Sequence, residues 1–216
     1  MKTRVVFVEQ PGAVQSVIRL GTTGVSRTAP DYMAANLAGT LFGGMFSSRL
    51  NMNLREEHGW SYGAYGGFTD TRDHGLFLAR TSVQADKTGP AVAEIVKELV
   101  AARSKAPTDA ELAMTKEYLL KSLPGNFDTN GTSVGSLSVI PQFGLAADAW
   151  KTYVTQATAI TPADAAKAAT TYFDPARMLI VVVGPKTIEV DDGNGGKTTV
   201  DVVKSLKDLG YELVTQ

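Results

Sequence analysis

Apolar residues fall along this chain in blocks whose period changes from one to the next. Val5 to Val8 form a short apolar run, and Gln10-Pro11-Gly12 then turns the chain into Val14 to Leu20. There Val14, Ser16 and Ile18 alternate with Gln15, Val17 and Arg19, so both stretches are expected as strands of one sheet. Asp31 follows Pro30 as a candidate N-cap, and Met33, Leu37, Ala38 and Leu41 share one helical face up to Gly43-Gly44. A second helix follows, with Ser47 or Ser48 as its cap, Leu50 and Leu54 on one face, and Gly59 where a left-handed terminal residue belongs. Ser61 to Phe68 and Gly75 to Val83 read as the two strands of a hairpin.

Farther on, Val92, Ile95, Val96, Leu99 and Val100 follow the amphipathic helical template. Thr108 and Glu111 form a capping-box pattern for the next helix, which runs toward Pro124-Gly125. Val134, Leu137, Val139 and Ile140 predict a helix ended near Pro141, and Thr161-Pro162 opens one over Ala163 to Tyr172. Met178 to Val183, an unbroken apolar run, reads as a strand buried on both faces. The order of elements predicts an α+β domain, a largely antiparallel sheet with helices layered on one face. Residues 1–185 form the main domain in this reading. Residues 186–216 form a polar C-terminal extension with one short helix, Val200 to Leu209.

Composition narrows the function. At 216 residues, with 44% hydrophobic and 20% charged, the chain has the ordinary globular mixture and can bury a core without disulfides or a structural metal. With 21 basic and 22 acidic residues the formal charge is -1, and no cluster of Lys and Arg is suited to a phosphate backbone, which argues against nucleic acid. The absence of cysteine removes disulfides and thiolate metal sites. No glycine pattern is followed by Lys-Ser/Thr, so a phosphate loop is rejected. The first ten residues hold no apolar run long enough for a signal segment or a membrane span. Periplasm and cytoplasm both stay open as compartments.

The chemistry concentrates in residues 41–65, LFGGMFSSRLNMNLREEHGWSYGAY. The Gly43-Gly44 loop, Phe46-Ser47-Ser48-Arg49-Leu50, Leu54-Arg55-Glu56, Gly59, and Tyr62 seven residues after Arg55 together resemble the M16 family of zinc metallopeptidases. That family includes the insulinase, pitrilysin and mitochondrial processing peptidase types. The resemblance implies the LuxS/MPP-like metallohydrolase fold, in which two similar halves enclose a chamber, one holding zinc through His-x-x-Glu-His. Here Glu57-His58 is the nearest imitation, but Leu54 stands where the first histidine would be needed. The chain has only two histidines, His58 and His74. The resemblance is therefore to the C-terminal, non-zinc half.

Such a half implies no metal in this chain, zinc on a partner domain or subunit, and Arg55 and Tyr62 facing the peptide near the scissile bond. Gly43 and Gly44 are expected beside the substrate, with a plain helix terminator as the equal alternative. The chemistry of the pair is apt in itself, since a guanidinium fork and a neutral hydroxyl can together hold a carbonyl and a developing oxyanion. Taken singly, Arg55 reads as a charge at a helix C-terminus and Tyr62 as a core residue. Arg49 and Glu56 read as structural, and Met33, Met45 and Met52 as core filling. The expected partners are a zinc-bearing M16 domain or subunit and a peptide substrate, without nucleic acid or membrane. Self-pairing of the isolated chain is left open. Alone the chain is expected to be inactive, and the alternative is a non-proteolytic structural or assembly protein that keeps the M16 fold.

Overall fold

The structure is a computed structural model that describes residues 3–215. In chain order the strands are β1 (Arg4–Glu9), β2 (Gln15–Thr23), β3 (Ser61–Thr69), β4 (Leu76–Gln84), β5 (Leu179–Gly184), β6 (Thr187–Asp191), β7 (Lys197–Asp201) and β8 (Glu212–Thr215). The helices are α1 (Tyr32–Gly39), α2 (Arg49–Asn51), α3 (Thr88–Ser104), α4 (Asp109–Ser122), α5 (Asn130–Phe143), α6 (Ala149–Ala159), α7 (Pro162–Tyr172) and α8 (Val202–Lys207). Both α1 and α2 continue into π-helical turns, Thr40–Gly44 and Met52–Glu57.

Six strands form one sheet in the order β3-β4-β2-β5-β1-β8. The β3, β4, β2 and β5 neighbours are antiparallel, whereas β1 runs parallel to both β5 and β8. This is the mixed, mostly antiparallel α+β architecture that the order of elements implies. Along β2 and β4 every second residue is buried, including Ile18, Leu20, Phe77 and Ala79, and these pack with Val92, Ile95 and Leu99 of α3. Period-2 burial means that helices cover one face only. For the same reason β5 is not buried on both faces as its apolar run suggested: Ile180 and Val182 are in the core, but Leu179 is 42% exposed.

Phe42, Phe77 and Phe173 meet at ring distances of 4.5 to 5.5 Å and tie the end of α1 to β4 and to the segment after α7. Gly43 lies against β3 so closely that a Cβ there would sit 2.6 Å from the Gly66 Cα, and a Cβ on Gly66 would press on the Phe42 ring. Only glycines permit this approach, and it fixes α1 against the edge strand.

Capping boxes form at Thr108 with Glu111 and at Thr161 with Asp164. Asp31 occupies the N-cap position of α1 without capping it; its carboxylate accepts instead from the Tyr172 hydroxyl at 2.9 Å. Nor does α5 stop at Pro141. It runs on to Phe143 and ends at Gly144, whose φ of 66° is left-handed. Met33 and Met45 are buried as core filling requires, but Met52 is exposed on the π-helical turn.

The segment after residue 185 holds more than the one helix its sequence suggests. β6 and β7 form a separate hairpin, α8 buries Val202 and Leu206 in the main core, and β8 is the outer strand beside β1. Among the described residues no helix is long and apolar enough to cross a membrane.

Candidate functional site

Tyr62 lies on β3, the edge strand. The β3–β4 register steps from Ser61↔Val83 to Ala64↔Thr81, so Tyr62 and Gly63 together oppose the single residue Ser82, which is a β-bulge. Two hydroxyls hold it. Ser61 Oγ accepts from the Gly63 amide at 3.1 Å and lies 2.8 Å from Thr81 Oγ1, which donates to the Gly63 carbonyl at 3.1 Å. A bulge re-aims the side chain it carries, and Tyr62 is 91% exposed. This disposes of the core reading of Tyr62. Its ring borders a hollow of about 270 Å³ on the open sheet face.

Arg55 sits near the C-terminal end of the π-helical turn Met52–Glu57. Such turns are frequent at functional sites because the wider coil redirects side chains. The Arg55 guanidinium lies 4.6 Å from the centroid of Phe46, itself 60% exposed, and its Nε is 3.3 Å from Glu56 Oε1. Gly59, at a φ of 65°, turns the chain from this turn into β3, and its amide donates to the Arg55 carbonyl at 3.1 Å. Arg55 and Tyr62 therefore flank one short connection. Of the glycine pair, Gly44 is exposed, while Gly43 is buried against β3.

Asn51 is a residue that the sequence pattern did not single out. It is 2% exposed; its Nδ2 donates to the Phe46 carbonyl at 2.7 Å and its Oδ1 accepts from the Ala64 amide at 3.0 Å. One buried amide thus joins the loop under Arg55 to the strand that carries Tyr62. The available signal was a polar residue directly after Leu50, on the same turn as the buried Leu54.

Around the site Arg49 and Glu111 form an ion pair at 2.8 Å. The Arg49 hydrogen bond, with further bonds from Thr108, outweighs burial and holds the Glu111 carboxyl down to about 2. His58 stacks on Trp60 at 4.0 Å, and Leu54 is wholly buried. The residues around Glu57-His58 therefore do not fit a zinc ion. Among the described residues no group of three or more histidine and carboxylate side chains is placed to hold a metal.

Comparison with known proteins follows this geometry. A chain of the peptidase M16 inactive domain from Pseudomonas fluorescens matches with a TM-score of 0.78 and 26% identity, over 85% of this chain and 44% of that one. A protease from Helicobacter pylori gives 0.75 and 19%, over 85% of this chain and 45% of its own. A chain of Complex III from Candida albicans gives 0.72 and 14%, over 83% and 45%, a likeness of fold alone. This chain thus spans less than half the length of each of these three. No curated protein matches. The model of the family described as peptidase M16 inactive domain matches residues 2–119, and on that match, over more than half its length, this chain belongs to that family.

Proposed function

We propose that the chain closes a peptide-holding chamber against a zinc-bearing M16 domain or subunit, and that Arg55 and Tyr62 reach the bound peptide near the bond to be cut. The observation that carries this reading is the placement of Tyr62: a bulge built by Ser61 and Thr81 holds a large aromatic residue almost entirely in solvent beside the Arg55 turn. Tyr62, Tyr65 and Val17, all exposed, line one hollow, and a shared apolar patch of this kind marks a binding surface. The coverage of less than half of longer relatives supports a second domain or subunit of comparable size.

In this reading the partner's zinc supplies Lewis-acid polarisation of the scissile carbonyl and an activated water. The Tyr62 hydroxyl donates one uncharged hydrogen bond, and Arg55, held by the Phe46 ring and Glu56, offers its remaining donors to a carbonyl or oxyanion. Gly44, the exposed member of its pair, is the one whose backbone a peptide can approach.

The test combines the chain with a zinc-bearing M16 domain or subunit and follows cleavage of an unstructured peptide by wild type, Arg55→Ala and Tyr62→Phe. Loss of an oxyanion donor should lower kcat by about 10² to 10³. Wild-type rates in both variants would end the proposed role. The Complex III likeness favours a second reading, a structural or assembly subunit. Stable capture of a non-peptidase partner with no peptide turnover would establish that reading instead.

A further inference from the structure

The open face of the sheet carries an unusual pair. Arg19 of β2 and Arg80 of β4 are direct cross-strand partners, and both are exposed because their chain neighbours Ile18, Leu20, Ala79 and Thr81 take the buried positions. Like charges directly opposite each other on a sheet repel and destabilise it. Among the described residues neither arginine forms an ion pair with a carboxylate. A transverse row continues on both sides: Tyr65 pairs with Arg80 and Val181 with Arg19. The Arg80 guanidinium lies 5.8 Å from the Tyr65 ring centroid.

Both arginines line the hollow that Tyr62 borders. Arg19 also lines a larger trough of about 850 Å³, floored by Leu76, Leu78, Leu179 and Val181. Arg19 thus lines both hollows, the larger one mostly apolar but lined also by Arg177, and among the described residues no carboxylate lines either one. Two arginines directly opposite on neighbouring strands and lining one hollow can both donate to one carboxylate, which relieves their repulsion. The groove beside them suits the side chains of an extended peptide.

We propose that Arg19 and Arg80 form a carboxylate-binding subsite that selects peptides carrying an acidic group beside the segment at Tyr62. The inference deepens the peptidase reading and rests on it in one respect, that the ligand is a peptide. The carboxylate belongs either to an Asp or Glu side chain or to the peptide's C-terminus.

Three rhodamine-labelled Ala/Ser peptides of equal length separate these sources: one central Glu with an amidated C-terminus, Gln in its place with the amide, and Gln with a free C-terminal carboxylate. Their affinities for the chain are measured by fluorescence anisotropy across a salt series. One or both carboxylate peptides should bind about tenfold tighter than the neutral one, and added salt should erode the difference. The preference should disappear in the double variant Arg19→Gln, Arg80→Gln, while its Tm stays level or rises because the repulsion is gone. Equal affinities, no binding of any peptide, or a preference that survives the double substitution would overturn the proposal. So would loss of assembly with a zinc-bearing domain in the double variant with no carboxylate preference, which would assign the pair to an interdomain contact. Failure of Arg55→Ala and Tyr62→Phe to alter cleavage would refute the catalytic assistance and leave this binding preference standing.

Discussion

Arg55 and Tyr62 stand at opposite ends of a short connection, and Asn51 ties the loop under Arg55 to the strand that carries Tyr62. Its amide has one donor bond to the Phe46 carbonyl, partly buried, and one acceptor bond from the Ala64 amide, buried. Leucine at this position would fill a similar volume but strand both backbone groups. The cost is roughly 1 to 3 kcal/mol for each buried group left unpaired. Asn51→Leu should therefore lower the midpoint of denaturant unfolding, and in the cleavage assay should reduce turnover beyond what the remaining folded fraction explains. Turnover that simply tracks the folded fraction would show that Asn51 is a structural residue and nothing more. The spacing of Arg55, Gly59 and Tyr62 is legible in the sequence through its resemblance to the M16 pattern. Asn51 is not, since its partners lie 5 and 13 residues away and become neighbours only when β3 docks. The exposure of Tyr62 is likewise a property of the bulge, which comes from hydroxyl bonds between Ser61, Gly63 and Thr81 rather than from any pattern of apolar residues.

At the level of elements, the signals that worked were those with local chemistry. The capping boxes at Thr108 and Thr161 start α4 and α7 where the sequence places them. α6 is absent from the elements expected from the sequence although Trp150, Tyr153, Val154 and Ala157 stand at i, i+3, i+4 and i+7; Ala157 alone of that stripe is buried. Pro141 misled in the opposite way, for an exposed helix can lose one amide donor near its end and still reach Gly144. The cap of α4 also links stability to acidity. The Glu111 carboxyl is held down to about 2, from an ordinary 4.5, by Arg49 and Thr108. A depressed folded-state value contributes stability above pH 4.5 that is lost as pH falls toward 2. Stability of the wild type should therefore decline across this interval, and Glu111→Gln should show a shallower decline from a lower starting point. Parallel curves for the two proteins in an acid titration of the unfolding midpoint would refute this linkage.

On the scale of the whole molecule, periodicity identified most of the strands but not their order. Strand order follows from which buried faces fit together, and β1 finds its neighbours β5 and β8 more than 170 residues away. The polar composition after residue 185 concealed that Val202 and Leu206 join the main core. We propose that this segment is integral to the domain. A chain ending at residue 185 should unfold at a lower temperature and aggregate more readily, because β1 then presents an open edge and α3 loses the cover of α8. A truncated chain with the same Tm and solubility would show the segment to be a dispensable extension.

The position of β1 also sets an order of events in time. Its two partners are β5 and β8, so β1 cannot enter the sheet until residues more than 170 positions later have been made. The β3–β4 hairpin closes through a six-residue connection, Asp70 to Gly75, and can form as soon as it is made. The edge bearing Tyr62 is thus available early, whereas the opposite edge waits for almost the entire chain. Val5 and Phe7, both fully buried in the folded chain, lack their β5 and β8 neighbours throughout that interval, which makes β1 a segment prone to aggregation before the sheet closes.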